Sequence, residues 1–271
     1  MPDEQANVRD KPWRYGKKNK KMEFLRAFAG LKESVLDFVF PPHCLLCNSS
    51  ISSDEMQDHT YPKSLVCRTC WDSLNILPHP FCPICRSFLD QEMRRCPKCP
   101  QSSSLSLNRS LGVFDPYYQS LIHHFKYNRK FSIGKKLGRR LGEILKKEEF
   151  SKGFDYIIPV PLHPSRKRER GYNQSRILAE EISKTVSVPL MSKVLIRKKK
   201  TKDQTHLSPE ERERNVRGAF VVRANSALQG KKVILVDDVM TTGSTLKECA
   251  RILKDEGAKE VVGVTLVVVN P

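Results

Sequence analysis

Eight of the nine cysteines fall between residues 43 and 100, as four Cys-x-x-Cys pairs: Cys44/Cys47, Cys67/Cys70, Cys82/Cys85 and Cys96/Cys99. One such turn lets two thiolates converge on an ion, and two turns complete a tetrahedral four-cysteine zinc site. Such ribbons read equally as a contact surface for nucleic acid or protein partners, or as a segment too small to fold alone that the metal holds together. Eight ligands make two closed zinc sites. A closed site leaves no open coordination position for catalysis, so both zinc ions read as structural. Locality favours sequential pairing of the turns, and an interleaved cross-brace remains open. Cys249 stands alone in a helical pattern and reads as a small core residue.

The formal net charge of +18 favours polyanionic partners such as nucleic acid, anionic lipid or phosphorylated ligands. The first twenty residues are polar and basic, with no apolar core or small-residue cleavage site after them. The longest apolar run, Val261–Val269, is too short to span a bilayer. A cytoplasmic protein is expected, and in that compartment paired thiols point to metal rather than structural disulfides.

Residues 1–21 read as a disordered basic tail. Residues 22–40 read as an amphipathic helix with Phe24, Phe28, Leu31, Val35 and Phe38 on one face, stopped by Pro41-Pro42. That face fits packing against the chain's own domain, or rest on the inner membrane face as a peripheral contact. The zinc-ribbon segment occupies 41–100, and a Ser-rich link follows.

From 108 to 271 strand and helix patterns alternate. Helices are expected at Tyr117–Tyr127, Ile133–Lys147, Gln174 to about Thr185, Pro209–Arg214 and Leu246–Glu256. Strands are expected at Tyr156–Val160, Ala219–Val222, Val233–Val236 and Val261–Val269, with a further apolar stretch at Val194–Ile196. Such alternation implies an α/β domain with a mostly parallel sheet, which binds ligands at the carboxyl ends of its strands.

One strand end stands out. The apolar run Val233–Val236 meets two adjacent acids, Asp237 and Asp238, and a hydroxyl-rich turn, Thr241-Thr242-Gly243-Ser244-Thr245, opens the next helix. Hydroxyls and free backbone N–H groups at a helix N-terminus suit a phosphate. Gly243 lets the backbone approach closely. The two carboxylates can accept hydrogen bonds from vicinal ribose hydroxyls, or help place Mg²⁺ near a pyrophosphate. There is no GxxxxGK[ST] and no GxGxxG here.

Val233–Thr245 resembles the phosphoribosyl pyrophosphate (PRPP) motif of type I phosphoribosyltransferases. The chain as a whole resembles the ComF-type competence protein family, in which double zinc ribbons precede such a domain. That likeness rests on Phe40–Cys47, Pro159–Pro164, Arg168–Ser175 and the PRPP loop. The resemblance implies a type I phosphoribosyltransferase-like parallel sheet flanked by helices, preceded by a small four-cysteine zinc-ribbon domain. It implies Mg²⁺-PRPP as ligand, with Asp237 and Asp238 on the ribose and as the catalytic pair. Thr241, Thr242, Gly243, Ser244 and Thr245 would cradle the 5′-phosphate. The basic loop at 159–175 would take the pyrophosphate through Arg166, Arg168 and Arg170, whose forked guanidinium groups suit phosphate oxygens.

Residues 197–215 would supply a mobile cover, with a nucleic-acid contact at Lys198–Lys200 as the rival reading. Two functions follow. One is PRPP-dependent phosphoribosyl transfer in natural competence, DNA uptake and transformation. The other is non-catalytic PRPP sensing or single-stranded-DNA binding alongside the competence machinery. The acceptor nucleophile is not legible.

Overall fold

The computed structural model describes residues 42–52, 65–85, 87–90, 93, 96–97, 99, 103–199, 201, 208–223 and 227–269. The basic tail, the amphipathic helix at 22–40, Lys200 and residues 202–207 of the expected cover lie outside them. In chain order the described elements are α1 (Arg68–Asp72), β1 (Asn108–Val113), α2 (Pro116–Tyr127), α3 (Phe131–Lys147), β2 (Tyr156–Pro159), α4 (Pro164–Arg170) and α5 (Gln174–Val186). There follow β3 (Leu195–Arg197), α6 (Pro209–Val216), β4 (Phe220–Val222), β5 (Lys232–Met240), α7 (Ser244–Asp255) and β6 (Glu260–Val268).

Four strands make a parallel sheet in the order β1-β6-β5-β2, and β3 and β4 form a separate antiparallel pair. A parallel strand covered on both faces calls for a continuous apolar run rather than alternation. Val233–Val236 of β5 and Val261, Val262, Val264, Leu266, Val267 and Val268 of β6 have no exposed surface. Leu121 and Phe125 of α2, Leu137 and Leu141 of α3, and Leu178 and Ile182 of α5 share one core with Ile157, Ile234 and Val262. Leu246, Cys249 and Leu253 of α7 share the other with Phe220, Val233 and Leu235, so Cys249 is the core residue its setting suggested.

The structure differs from the sequence reading in three places. First, β5 does not stop at the acid pair. It runs on through Met240 because β6 is long enough to pair with it, Asp237 opposite Thr265 and Met240 opposite Val268. β2 pairs only as far as Val236, so the last four residues of β5 project beyond it.

Second, the basic stretch after β2 is not a loop throughout. It folds into α4, with Pro164 in the first turn, a cap in which His163 Nδ1 accepts from the Ser165 N–H at 3.3 Å, and Gly171 at φ +84° closing the helix.

Third, β1 has polar residues at positions without exposed surface. Asn108 donates to Ser110 and Thr265, at 3.0 and 3.2 Å. Arg109 forms a two-pronged pair with Glu148, at 2.8 and 2.6 Å.

The cysteine-rich segment packs on this domain and covers the outer edge of β1, an otherwise open strand. The Leu77 N–H donates to the Leu111 carbonyl at 2.9 Å, and Phe81 and Asn108 exchange backbone bonds at 2.9 and 3.0 Å. Trp71 is buried, with the Arg140 guanidinium 5.4 Å from its ring and an Arg140 hydrogen bond to its carbonyl at 2.7 Å.

Gly134, Gly138 and Gly142 line one side of α3, and a Cβ at Gly134 would lie 2.3 Å from the fully buried Phe125 ring. Alanine for glycine inside a free helix is favourable by about 1 kcal/mol. Here overpacking, costing about 1–3 kcal/mol, reverses the sign. Gly134→Ala is expected to lower the urea midpoint at unchanged slope; a raised midpoint would show that Phe125 moves aside freely.

Candidate functional site

The eight paired thiols gather as Cys44, Cys47, Cys67 and Cys70, and as Cys82, Cys85, Cys96 and Cys99, each set with its sulfurs within 4.8 Å of one another. Grouping is sequential. The Cys47–Cys67, Cys82–Cys99 and Cys85–Cys96 sulfurs are 3.7, 3.8 and 3.6 Å apart. Four thiolates at about 2.3 Å from a tetrahedral ion stand about 3.8 Å from each other, so both sets fit zinc. The Ser49 hydroxyl and backbone N–H bring Cys47 down to about 6, and Ser87 does the same for Cys85. Burial pushes the Cys70 thiol up.

The second site is a cleft of about 580 Å³ at the carboxyl end of the sheet, in the gap left where β2 stops and β5 continues. Asp237, Asp238, Thr241 and Thr245 form one wall, Arg166 and Arg170 of α4 a second, and Arg197, Thr201 and Arg212 a third. Lys126 reaches in from α2. Five cationic side chains thus surround two acids, a balance suited to an anion that also carries hydroxyls.

The two acids are held differently. Asp237 accepts from the Ser175 hydroxyl at 2.8 Å and from the Asp238 N–H at 2.9 Å. Burial, and then the neighbouring Asp238 charge, push its carboxyl up to about 7. Asp238 pairs with Lys126, Oδ2 to Nζ 2.7 Å, with both side chains largely buried. Ser175 is placed by Asn173, whose Oδ1 caps α5 through the Ser175 N–H at 3.1 Å and whose Nδ2 donates to the Val160 carbonyl at 3.0 Å. That bracket ties the start of α5 to the end of β2.

The turn after β5 carries Gly243 at φ +77°, and a Cβ there would lie 2.6 Å from Met240 Cε, so the position excludes other residues on two counts. Gly243, the N-cap of α7, has no side chain to cap it, and the Ser244 N–H donates to the Thr242 hydroxyl at 3.4 Å. Thr242 and Ser244 bond each other through their hydroxyls at 2.6 Å and face a different surface depression, shared with Lys247 and Glu248.

α4 divides its cations. Arg166 and Arg170, one turn apart, line the cleft, while Lys167 and Arg168 line a neighbouring groove. Arg168 is therefore placed apart from Arg166 and Arg170. Lys198 and Lys199 are exposed and absent from the cleft lining.

Sequence reasoning missed three cleft residues. Lys126, flanked by Phe125 and Tyr127 in the sequence, touches Asp238, while Phe125 is core. His123 lies one turn before Tyr127 on the same helix face, a spacing visible in the sequence. Gln174 is 1% exposed, lines the cleft, and its Nε2 has no protein partner. A buried amide donor left unsatisfied is costly, and this one is open to an acceptor in the cleft.

The phosphoribosyl transferase domain family matches residues 172–270, and the double zinc ribbon domain family matches residues 35–100. Competence protein F of Haemophilus influenzae is 32% identical over 204 residues, covering 73% of this chain and 88% of the relative. DNA utilization protein YhgH of Escherichia coli K12 is 31% identical over 198 residues, 66% of this chain and 86% of the relative. Competence protein ComFC of Bacillus subtilis is 28% identical over 234 residues, 83% and 94% of the two chains. Among the described residues no helix is long and apolar enough to cross a membrane.

The raised Asp237 carboxyl has a measurable consequence. From its ordinary value of 3.8 up to about 7 the unfolded chain has lost a proton that the folded chain keeps, so stability falls as pH rises through that window. Asp237→Asn is expected to gain stability over the native chain from pH 5 to pH 8 in thermal melts; parallel pH curves would contradict the assignment. Native mass spectrometry is expected to show two zinc ions per chain, and one after Cys96→Ser.

Proposed function

The chain belongs to the ComF-type competence protein family, a double zinc ribbon joined to a phosphoribosyl transferase domain, and we propose that its cleft binds Mg²⁺-PRPP and transfers the phosphoribosyl group. The supporting observation is the meeting of three separate motifs in one cleft: the Asp237/Asp238 pair, Thr241 with Thr245, and Arg166 with Arg170.

In this reading Asp237 and Asp238 accept from the ribose hydroxyls and oppose the positive charge that develops at the anomeric carbon. Lys126 then has to leave Asp238 or turn to the ligand's phosphates. Thr241, Thr245 and the backbone N–H groups from Thr242 through Ser244 to the start of α7 hold the 5′-phosphate. Arg166 and Arg170 take the pyrophosphate as the bond from its oxygen to the anomeric carbon breaks. An incoming nitrogen nucleophile forms the new bond and gives up its proton to solvent. Mg²⁺ arriving with the ligand would supply charge neutralisation on the pyrophosphate, and Asp237 and Asp238 are the carboxylates that would help hold it. Gln174 Nε2 donates to a ligand oxygen. With reactants so placed, positioning provides much of the acceleration.

The relatives' names, competence protein and DNA utilization protein, support the following biological setting as part of this reading. The chain acts in natural competence, DNA uptake and transformation, on the cytoplasmic side of the membrane, with single-stranded DNA and the competence machinery as partners. The two zinc ions hold the ribbons folded and take no part in the transfer.

Calorimetry with Mg²⁺-PRPP is expected to show one site per chain. The double variant Asp237→Asn/Asp238→Asn should lose it. Gln174→Leu should weaken it by roughly 10- to 100-fold, the loss of a hydrogen bond to a charged group. Failure of the native chain to bind would overturn the assignment. Binding with no pyrophosphate release on any nucleobase would replace transfer by PRPP sensing.

A further inference from the structure

PRPP is polar throughout, yet the cleft is not. Its lining also includes four apolar side chains, Phe114, Ile122, Val239 and Val269. Phe114 follows β1, Val269 follows β6, and Val239 lies next to the last residue of β5. Val268 pairs with Val113 on one side and with Met240 on the other, which sets these three strand ends side by side. Ile122 of α2 belongs to the core against which Phe114 and Val239 pack. Gln119 and His123, one turn apart on α2 and both exposed, bring polar groups to the same lining.

The apolar end and the arginines stand on opposite sides of the acid pair. In the order β1-β6-β5-β2, Arg166 and Arg170 follow β2 on one flank of β5, while Val269 and Phe114 follow β6 and β1 on the other. α2 repeats that order along its length. Tyr127 has Arg170 5.1 Å from its ring, Lys126 is on Asp238, and His123 and Gln119 lie further back toward the start of the helix. When PRPP reacts, its pyrophosphate leaves on the arginine side. Displacement at the anomeric carbon calls for the incoming atom on the opposite side, aligned with the breaking bond. The apolar end is therefore where an acceptor has to stand.

Ammonia or a simple aliphatic amine would leave the four apolar side chains against water. A flat heterocycle covers them with its face, as ligands do in pockets with apolar walls and a few polar groups. The Gln119 carboxamide carries a donor and an acceptor side by side, the complement of a lactam or amidine edge, and the His123 ring offers a donor or an acceptor according to its tautomer.

We propose that the apolar end of the cleft is the acceptor subsite and that it takes a nucleobase-type heterocycle, with its face on Phe114 and Val239 and its lactam or amidine edge on Gln119 and His123. The proposal rests on the PRPP reading above, because Asp237 and Asp238 must hold the ribose for the acceptor to meet it. A ring nitrogen forms the new bond to the anomeric carbon. The pyrophosphate oxygen leaves with the electron pair of the bond that breaks, and the nitrogen's proton passes to solvent. Gln119 and His123 meet only the acceptor, so they decide which heterocycle reacts and not how PRPP is held.

The test is calorimetry on the full-length zinc-loaded chain with Mg²⁺-PRPP, ribose 5-phosphate, and the 5′-monophosphates of adenosine, guanosine, cytidine and uridine. Ribose 5-phosphate fills the sugar and phosphate positions alone, and each nucleotide adds a base. At least one nucleotide is expected to bind about tenfold tighter than ribose 5-phosphate. Gln119→Ala/His123→Ala, at exposed helix positions, should remove that gain. Val239→Thr, which keeps the branched shape a strand favours, should reduce it by placing a hydroxyl under the base. Both variants should bind ribose 5-phosphate and Mg²⁺-PRPP as the native chain does.

Equal losses for ribose 5-phosphate and the nucleotides would show that these residues shape the whole cleft, and would overturn the proposal. So would nucleotides that bind no tighter than ribose 5-phosphate while Mg²⁺-PRPP binds; the PRPP reading would then stand without this acceptor subsite. If Mg²⁺-PRPP and ribose 5-phosphate both fail to bind, the PRPP reading falls and the acceptor subsite with it.

Discussion

Everything at the cleft depends on β5 pairing with β6 beyond the point where β2 ends. Asp237 to Met240 keep their backbone bonds on the β6 side alone. The strand therefore stays rigid while its β2 side opens to ligand. Two acids on a free loop would drift apart in water. On a strand paired at one edge their separation is fixed by the backbone, and both line the cleft. Ser175 then takes one and Lys126 the other. The apolar runs of β5 and β6 are thus part of the site, because their burial on both faces fixes the register that puts the acids at the cleft.

Charge is organised around that edge. The cleft holds more cations than acids, and the groove behind α4 is lined by cations without acids. A short helix stands between them and faces both. Its start is set by Pro164 and His163 and its end by Gly171, so three residues decide which way four cations point. Lys126 occupies Asp238 in this structure. Both groups are largely withdrawn from water, so this pair costs desolvation that a bound anion with hydroxyls can relieve.

Much of the fold was legible in the sequence, for local reasons. Val233–Val236 is a continuous apolar run and Val261–Val269 one broken only at Gly263 and Thr265, the pattern a doubly covered parallel strand calls for. The paired cysteines announced two four-thiol clusters by spacing. β1 escaped notice because Asn108, Arg109 and Ser110 are polar and buried, and their partners Thr265 and Glu148 are remote in sequence. The helix α4 was hidden by its own charge, since a run of arginines reads as a solvated loop until the cap and the closing glycine are weighed together. At the site, the acid pair and the hydroxyl turn could be read directly. Lys126 could not, because its meaning lies in a contact 112 positions away. Gln174 stood inside a recognised motif, but only burial without a partner singles it out.

The central claim is that one cleft holds a phosphoribosyl group by both its ends. A crystal structure with Mg²⁺ and PRPP, grown from the full chain with its zinc, tests this most directly. The account predicts the 5′-phosphate against Thr241–Thr245, the ribose hydroxyls on Asp237 and Asp238, and Lys126 moved off Asp238. Ligand density elsewhere, or a bound ligand with the Lys126–Asp238 pair intact and the acids untouched, would contradict it.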